Sequence, residues 1–191
     1  MPFTKQYTNA QQQLMLKLVR AAIARKLEMH YPCPVTAHED WLQAPAATFV
    51  TLTIRGALRG CIGMLEPCRS LQDDLTHNAI SAAFYDPRFP PLSCDEFDQL
   101  QVHISLLMPS IPLQVTDETD LLMKLHPGID GLVLEDDTHR ATFLPQVWHQ
   151  LPEPEQFLGH LKQKAGLPVD YWSPDLRFFV YQVVDVKDQA L

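Results

Sequence analysis

The first third of the chain begins with a helical spacing of apolar residues. Hydrophobic positions recur every three or four residues from Leu16 to Leu27, which predicts an amphipathic helix over residues 9–30. Asn9 stands where a helix-capping side chain is expected, and Pro32 follows the last apolar position. The spacing therefore predicts one long helix that packs a single face against the rest of the protein.

A strand-like alternation of apolar and polar residues follows this helix. Thr48–Arg55 and Leu58–Met64 read as two short strands, and Gly56-Ala57 between them fits a two-residue hairpin turn. Alternation places three apolar side chains of the first strand on one face, namely Val50, Leu52 and Ile54. The pattern therefore predicts a β-hairpin that is apolar on one side.

A second helix and a third strand complete this half. Ser70 and Asp73 resemble a capping box, and Asp86-Pro87 would end the helix that begins there. Val102–Met108 alternates again, with His103 on its polar face. In the helix that begins at Ser70, five small or apolar side chains form the predicted inner face, namely Leu71, Leu75, Ala79, Ala82 and Ala83.

The second half of the chain mixes short helices with strands. Turn residues and prolines divide it into a helix at about 118–125, a hairpin, two helical segments, a capping Gly166 and one final strand over Leu176–Val186. The hairpin strands and helical segments are Gly131–Glu135, Arg140–Leu144, Pro145–Leu151 and Pro154–Ala165. Because strands and helices are interspersed with hairpins, we expect an α+β fold with a largely antiparallel or mixed sheet.

Composition narrows the class of protein. The 191 residues carry 15 Lys plus Arg and 23 Asp plus Glu, a net charge of −8, and 46% are hydrophobic. No run reaches the roughly 18 apolar residues that a membrane helix requires, and no apolar signal region opens the chain. The four cysteines, Cys33, Cys61, Cys68 and Cys94, contain no Cys-x-x-Cys pair. We therefore expect reduced thiols in the cytoplasm and no metal site.

The segment Leu58-Arg59-Gly60-Cys61-Ile62-Gly63 is the strongest candidate for chemistry. Glycine weakens a strand, so Gly60 and Gly63 beside one cysteine suggest that a ligand or another chain approaches the backbone closely. Simple alternation places Arg59 about 6–7 Å from Cys61 on the same face. An arginine there would favour the thiolate, which makes Cys61 a candidate nucleophile.

The hairpin spacing also supports an inert Cys61. A turn at Gly56-Ala57 pairs Leu52 with Cys61, which would bury the thiol among apolar side chains, although a shift of one residue would reverse its face. Cys68 could resolve an oxidised Cys61 or be an incidental loop thiol. The spacing leaves both pairs of alternatives open.

Two further side chains are candidates for the same site. Arg88, fixed in a proline-rich corner, could bind an anion or form a surface salt bridge. His103 could act as a base if its strand lies beside that of Cys61, and otherwise it faces solvent. The acidic net charge argues against a broadly basic nucleic-acid surface, but a local RNA-binding cluster stays open at Arg55, Arg59, Arg69 and Arg88.

Taken together, several motifs resemble the AMMECR domain family, which in prokaryotes includes protein A of the AmmeMemoRadiSam system. The resemblance spans about residues 10–185. Besides the LRGCIG segment at 58–63, it rests on blocks at 78–92, 104–107, 127–131, 141–148 and 161–167.

The resemblance implies a single domain of two associated lobes, with the LRGCIG segment near a cleft between them. It also implies a cytoplasmic protein that acts with a Memo-like protein and a radical SAM protein, but it brings no agreed reaction. The chain has no Cys-x3-Cys-x2-Cys motif, so we expect no cofactor of its own, and iron–sulfur chemistry would belong to the partner.

Overall fold

The computed structural model describes residues 7–32 and 39–188, which contain α-helices and two antiparallel sheets. The helices are α1 (Asn9–Lys26), α2 (Asp40–Gln43), α3 (Leu71–Phe84), α4 (Cys94–Phe97), α5 (Glu118–Lys124) and α6 (Pro154–Lys164). The strands are β1 (Pro45–Ile54), β2 (Ala57–Gly63), β3 (Arg69–Ser70), β4 (Leu100–Leu107), β5 (Ile111–Pro112), β6 (Gly131–Glu135), β7 (Arg140–Phe143), β8 (Arg177–Tyr181) and β9 (Val183–Lys187). The predicted α+β class is confirmed.

The chain forms two compact units. Unit 1 contains the described residues up to Leu107 and again from Val184, and unit 2 is Met108–Val183. In unit 1 the strand order is β2-β1-β4-β9, with β3 paired to the start of β1. Helices α1 and α3 supply much of its core, which they form with the apolar faces of β1 and β4. Strand β2 is therefore at one edge of this sheet.

The two long helices of unit 1 are close to their predicted bounds. Helix α1 ends at Lys26, and its N-cap is Thr8, so the prediction of Asn9 is wrong. Thr8 prevails because its hydroxyl accepts the amide of Gln11 while the Gln11 side chain accepts the amide of Thr8. Ser70 caps α3 as predicted, and all five side chains of its predicted inner face are buried.

The hairpin of β1 and β2 differs from its predicted register. Its turn is Arg55-Gly56, both with positive φ (50° and 78°), rather than Gly56-Ala57. The pairing then shifts by one residue, because Thr53 faces Leu58 whereas Leu52 faces Gly60. Arg59 is the extra residue of this β-bulge.

Unit 2 contains a sheet with the order β5-β8-β6-β7. Strands β6 and β7 form the predicted hairpin, and Gly166 ends α6 with a φ of 84°. The segment from Pro145 to His149 is a 3-10 helix. Against this sheet, Trp148 and Phe157 stack with ring centroids 3.8 Å apart.

The single final strand predicted over Leu176–Val186 is wrong. The segment divides at Gln182 into β8, which pairs with β6 in unit 2, and β9, which joins β4 in unit 1. The Gln182 carbonyl accepts the amide of Met108, which holds the chain where it passes from one sheet to the other. Apolar residues continue across this point, so hydropathy alone does not mark the division.

Candidate functional site

The bulge at Arg59 decides which way Cys61 faces. Beyond the bulge, Cys61 lies opposite Thr51 rather than Leu52, so the predicted pairing with Leu52 is wrong. Residues directly opposite in a sheet share a face, and Thr51 is on the face opposite the apolar core positions Val50 and Leu52. Cys61 is half-buried and its thiol is free. The interpretation of Cys61 as a thiol buried in the core is therefore corrected.

The bulge interrupts the simple alternation that would place Arg59 and Cys61 on the same face of β2. The Arg59 side chain is buried and binds Glu96 in α4 through two hydrogen bonds of 2.7 and 3.0 Å. It also donates to the Pro90 carbonyl at 2.9 Å. The hydrogen bond from Arg59 lowers the pKa of Glu96 to about 2. Arg59 therefore anchors the strand to α4, and its predicted role in anion binding stays a prediction.

Close packing of the backbone explains both glycines of the motif. A Cβ on Gly60 would lie 2.0 Å from the carbonyl oxygen of Ala82 in α3, and one on Gly63 would lie 2.4 Å from that of Thr48. Contacts this short exclude any side chain without a backbone shift. The predicted close approach at Gly60 is thus made by helix α3, whereas ligand binding at either glycine stays a prediction.

Asp86 and Arg88 hold the peptide of Cys61 on the outer edge of β2. The Cys61 amide donates to Asp86 Oδ2 at 2.9 Å, and the Cys61 carbonyl accepts Arg88 Nη2 at 3.3 Å. Arg88 also donates to Asp86 from Nε and Nη2, at 2.9 and 2.7 Å. These hydrogen bonds from Arg88 hold the pKa of Asp86 well below its usual range. The Asp86-Pro87-Arg88 turn is therefore a clamp on the Cys61 peptide.

The thiol of Cys61 has two polar neighbours on other segments. Thr51 Oγ1 lies 3.2 Å from Sγ and donates to it. The pKa of Arg88 is raised first by its hydrogen bond to Asp86 and also by the negative charge of the Cys61 thiolate. Arg88, which is 54% exposed, is thus a cation within electrostatic range of the sulfur. Sequence reasoning assigned that position to Arg59 because the bulge was not foreseen.

His103 does not lie on a strand next to that of Cys61. Strand β1 separates them, and both residues are opposite Thr51 from its two sides. The imidazole Nε2 instead bonds Asp185 Oδ1 in β9 at 2.7 Å, and Ser105 Oγ donates to the same oxygen at 3.0 Å. Burial raises the pKa of Asp185, but the hydrogen bonds from His103 and Ser105 outweigh it and leave that pKa lowered. The role of His103 as a base stays a prediction.

Thr51, Glu96 and Asp185 are site residues that sequence reasoning missed. Glu96 and Asp185 come from elements distant in the chain from Arg59 and His103, so no local pattern marks them. Thr51 is on the neighbouring strand of the same hairpin, and it lies opposite Cys61 only because of the bulge. Cys68 and Cys94 are exposed and free, and Cys33 lies outside the described residues. Within the described parts of the chain, no set of three or more His, Cys, Asp and Glu is arranged to hold a metal.

Three of the four arginines proposed for RNA binding have carboxylate neighbours. Arg59 is paired with Glu96 and Arg88 with Asp86, and Arg69 lies 3.9 Å from the carboxylate of Asp74. These neighbours reduce the positive charge available to a phosphate backbone.

Among the described residues, no helix has the length and apolar character needed to cross a membrane.

Comparisons with known proteins agree with this architecture. The family model AMMECR1 matches residues 16–186, which include parts of both units. A protein of Methanothermobacter thermautotrophicus is 43% identical over 145 residues, covering 75% of this chain and 76% of its own. A protein of Methanopyrus kandleri is 33% identical over 179 residues, covering 89% and 84%. The crystal structure of an uncharacterised protein from Pyrococcus horikoshii matches with a TM-score of 0.74 and 32% identity, over 91% of this chain and 89% of that one.

Proposed function

Because the chain belongs to the AMMECR1 family, we propose that it is a cytoplasmic component of a modification pathway that also uses a Memo-like protein and a radical SAM protein. The family match over residues 16–186 is the observation that carries this proposal. The chain itself has no Cys-x3-Cys-x2-Cys motif, so the iron–sulfur chemistry would come from the radical SAM partner.

Arg88 is the group of the site that we expect a partner or an anionic ligand to contact. Its side chain is 54% exposed, and Asp86 orients the guanidinium through two hydrogen bonds. A planar, pre-oriented guanidinium is suited to binding a carboxylate or phosphate group.

Anaerobic co-expression tests the proposal directly. The tagged chain is produced together with the radical SAM and Memo-like proteins of the same genome and separated by size-exclusion chromatography. We expect at least one of them to elute with the chain and Arg88→Ala to weaken that association. Arg25→Ala, at an exposed position in the last turn of α1, is the matched control. Separate elution of all three proteins would contradict the proposal.

A cysteine-dependent transferase or hydrolase with Cys61 as nucleophile is the second candidate. The observation that favours it is the hydrogen bond from Thr51 Oγ1 to Cys61 Sγ, 3.2 Å long. A hydrogen bond donated to sulfur stabilises the thiolate, which is the nucleophilic form.

The labelling rate of Cys61 tests this second candidate, and the chain contains its own references. Cys68 and Cys94 are exposed free thiols, so their rates of alkylation by iodoacetamide report ordinary thiols in the same sample. Peptide mass spectrometry of the native protein at pH 8 should show Cys61 alkylated alongside the two references. A Cys61 that reacts only after denaturation would refute its role as a nucleophile.

A further inference from the structure

A row of polar side chains crosses the sheet of unit 1 on the face opposite its helical core. Strands β2, β1 and β4 are neighbours in that order, and Thr51 lies opposite Cys61 on one side and opposite His103 on the other. Directly opposite residues share a face, so these three side chains emerge on one surface. The alternate positions Val50 and Val102 are buried in the core instead. The row therefore runs from Cys61 to His103 with one residue per strand.

Strand β9 supplies a carboxylate to the end of this row. Asp185 Oδ1 lies 2.7 Å from His103 Nε2 and accepts the Ser105 hydroxyl at 3.0 Å. Burial raises the pKa of Asp185, but the hydrogen bonds from His103 and Ser105 leave that pKa below its usual value. The carboxyl is thus ionised at neutral pH, and an ionised carboxylate only accepts hydrogen bonds. The hydrogen of the bond between His103 and Asp185 therefore belongs to Nε2.

We propose that Asp185 is a positioning residue, which holds the neutral His103 ring with its hydrogen on Nε2 and leaves Nδ1 as the proton acceptor. In a neutral imidazole one nitrogen donates and the other accepts, so the partner of Nε2 decides the state of Nδ1. A carboxylate orients the histidine in the same way around many catalytic and metal-binding imidazoles. Strand β9 flanks β4 on the side away from β1, so the ring is anchored from the side away from Cys61.

The inference rests on the second candidate function, in which Cys61 is the nucleophile, and it assigns His103 a defined task there. Neighbouring strands are about 4.8 Å apart, so roughly 10 Å separates the backbones of Cys61 and His103. His103 therefore serves a group bound over Thr51 rather than the thiol by direct contact. That group is the water, hydroxyl or amine that receives the transferred moiety. Its bond to hydrogen breaks, Nδ1 takes the proton, and Asp185 balances the positive charge of the ring.

Nitrogen-15 NMR of the histidine rings in the full chain tests the proposal, because protonated and unprotonated ring nitrogens differ widely in chemical shift. The signals of His103 are assigned by their loss in His103→Gln. At pH 8 we expect a protonated Nε2 and an unprotonated Nδ1. Asp185→Ala should shift both signals towards the average of the two tautomers, since both are populated once the carboxylate is gone.

A matched control and the wild-type spectrum keep the test decisive. Asp98→Ala makes the same change at an exposed position and should leave the His103 signals unchanged. A protonated Nδ1 in the wild type would overturn the proposal, even if Asp185→Ala failed to fold. Identical His103 signals in the wild type and a folded Asp185→Ala would overturn it as well.

This experiment and the labelling of Cys61 fail separately. An unreactive Cys61 beside a His103 with the expected tautomer would refute the second candidate function and leave the role of Asp185 intact. A reactive Cys61 beside a His103 of mixed tautomer would refute the positioning role alone.

Discussion

The substitution Asp86→Asn tests whether the clamp on Cys61 depends on an ionised carboxylate. The Asp86 side chain is 2% exposed and accepts four hydrogen bonds, one from the Cys61 amide and three from Arg88. Asparagine has nearly the same shape, but its NH2 group must face at least one of these donors. The change therefore leaves a donor unpaired and removes the charge that Arg88 binds.

The expected loss of stability follows from these contacts. Hydrogen bonds to a charged group contribute about 1.5–3 kcal/mol, and leaving a buried donor unpaired costs about 1–3 kcal/mol. Arg88 is half-exposed, so its guanidinium regains water and its share of the loss is small. We therefore expect Asp86→Asn to lower the free energy of unfolding by about 2–4 kcal/mol at pH 7.

The pH dependence of the free energy of unfolding provides a second, independent test. Because the pKa of Asp86 is lowered in the folded protein, its contribution is complete above the unfolded value of about 3.9 and is lost as the pH falls below it. Each pH unit below 3.9 removes about 1.4 kcal/mol until the folded pKa is reached. The difference between wild type and Asp86→Asn should thus narrow by about 1 kcal/mol between pH 4 and pH 3.

Urea unfolding followed by tryptophan fluorescence at pH 7, 4 and 3 measures both quantities. Asp98→Asn, the same change at an exposed position, should alter the free energy of unfolding by less than about 0.5 kcal/mol. A loss at pH 7 as small as that of the control would refute the reasoning. A difference that stays constant from pH 7 to pH 3 would show that Asp86 does not act through its charge.

Three other substitutions test separate parts of the structure. Gly60→Ala should lower the free energy of unfolding by about 1–3 kcal/mol, because its Cβ would lie 2.0 Å from a carbonyl of α3, and an unchanged urea midpoint would contradict that packing. Thr51→Val should slow iodoacetamide labelling of Cys61 without changing the exposed cysteines, since it removes the donor to sulfur, and equal rates would exclude that role. Lys162→Met should lower the free energy of unfolding in urea by about 1–3 kcal/mol, because the buried ammonium loses its 2.7 Å ion pair with Glu118. A higher free energy of unfolding would show that this pair is net unfavourable.

Local patterns predict the elements of this protein well where one face is buried. The spacing of apolar residues predicted α1 and α3 to within a few residues, and alternation predicted β1, β4 and the hairpin of β6 and β7. These features follow from the chain alone, because a period of 3.6 or 2 residues is a property of neighbouring positions. The family resemblance was likewise visible in the sequence and is confirmed.

Tertiary contacts decided the geometry of the candidate site. With the turn at Arg55-Gly56 and no bulge, Cys61 would pair with Val50 and face the apolar core. The bulge makes Thr51 the partner of Cys61 instead. The bulge itself is held by the hydrogen bonds of Arg59 to Glu96 and by the packing of Gly60 against α3. Glu96 lies 37 residues from Arg59 along the chain, so its position depends on the whole of unit 1.

The sequence by itself thus determined that one cysteine sits between two glycines on a short strand, and which family the chain belongs to. It did not determine the face of that strand, because a slip of one residue inverts every side chain while leaving the local pattern unchanged. Only the folded structure places the thiol beside Thr51 and the Cys61 backbone against Asp86 and Arg88, since those contacts depend on strand register and on a turn 25 to 27 residues away.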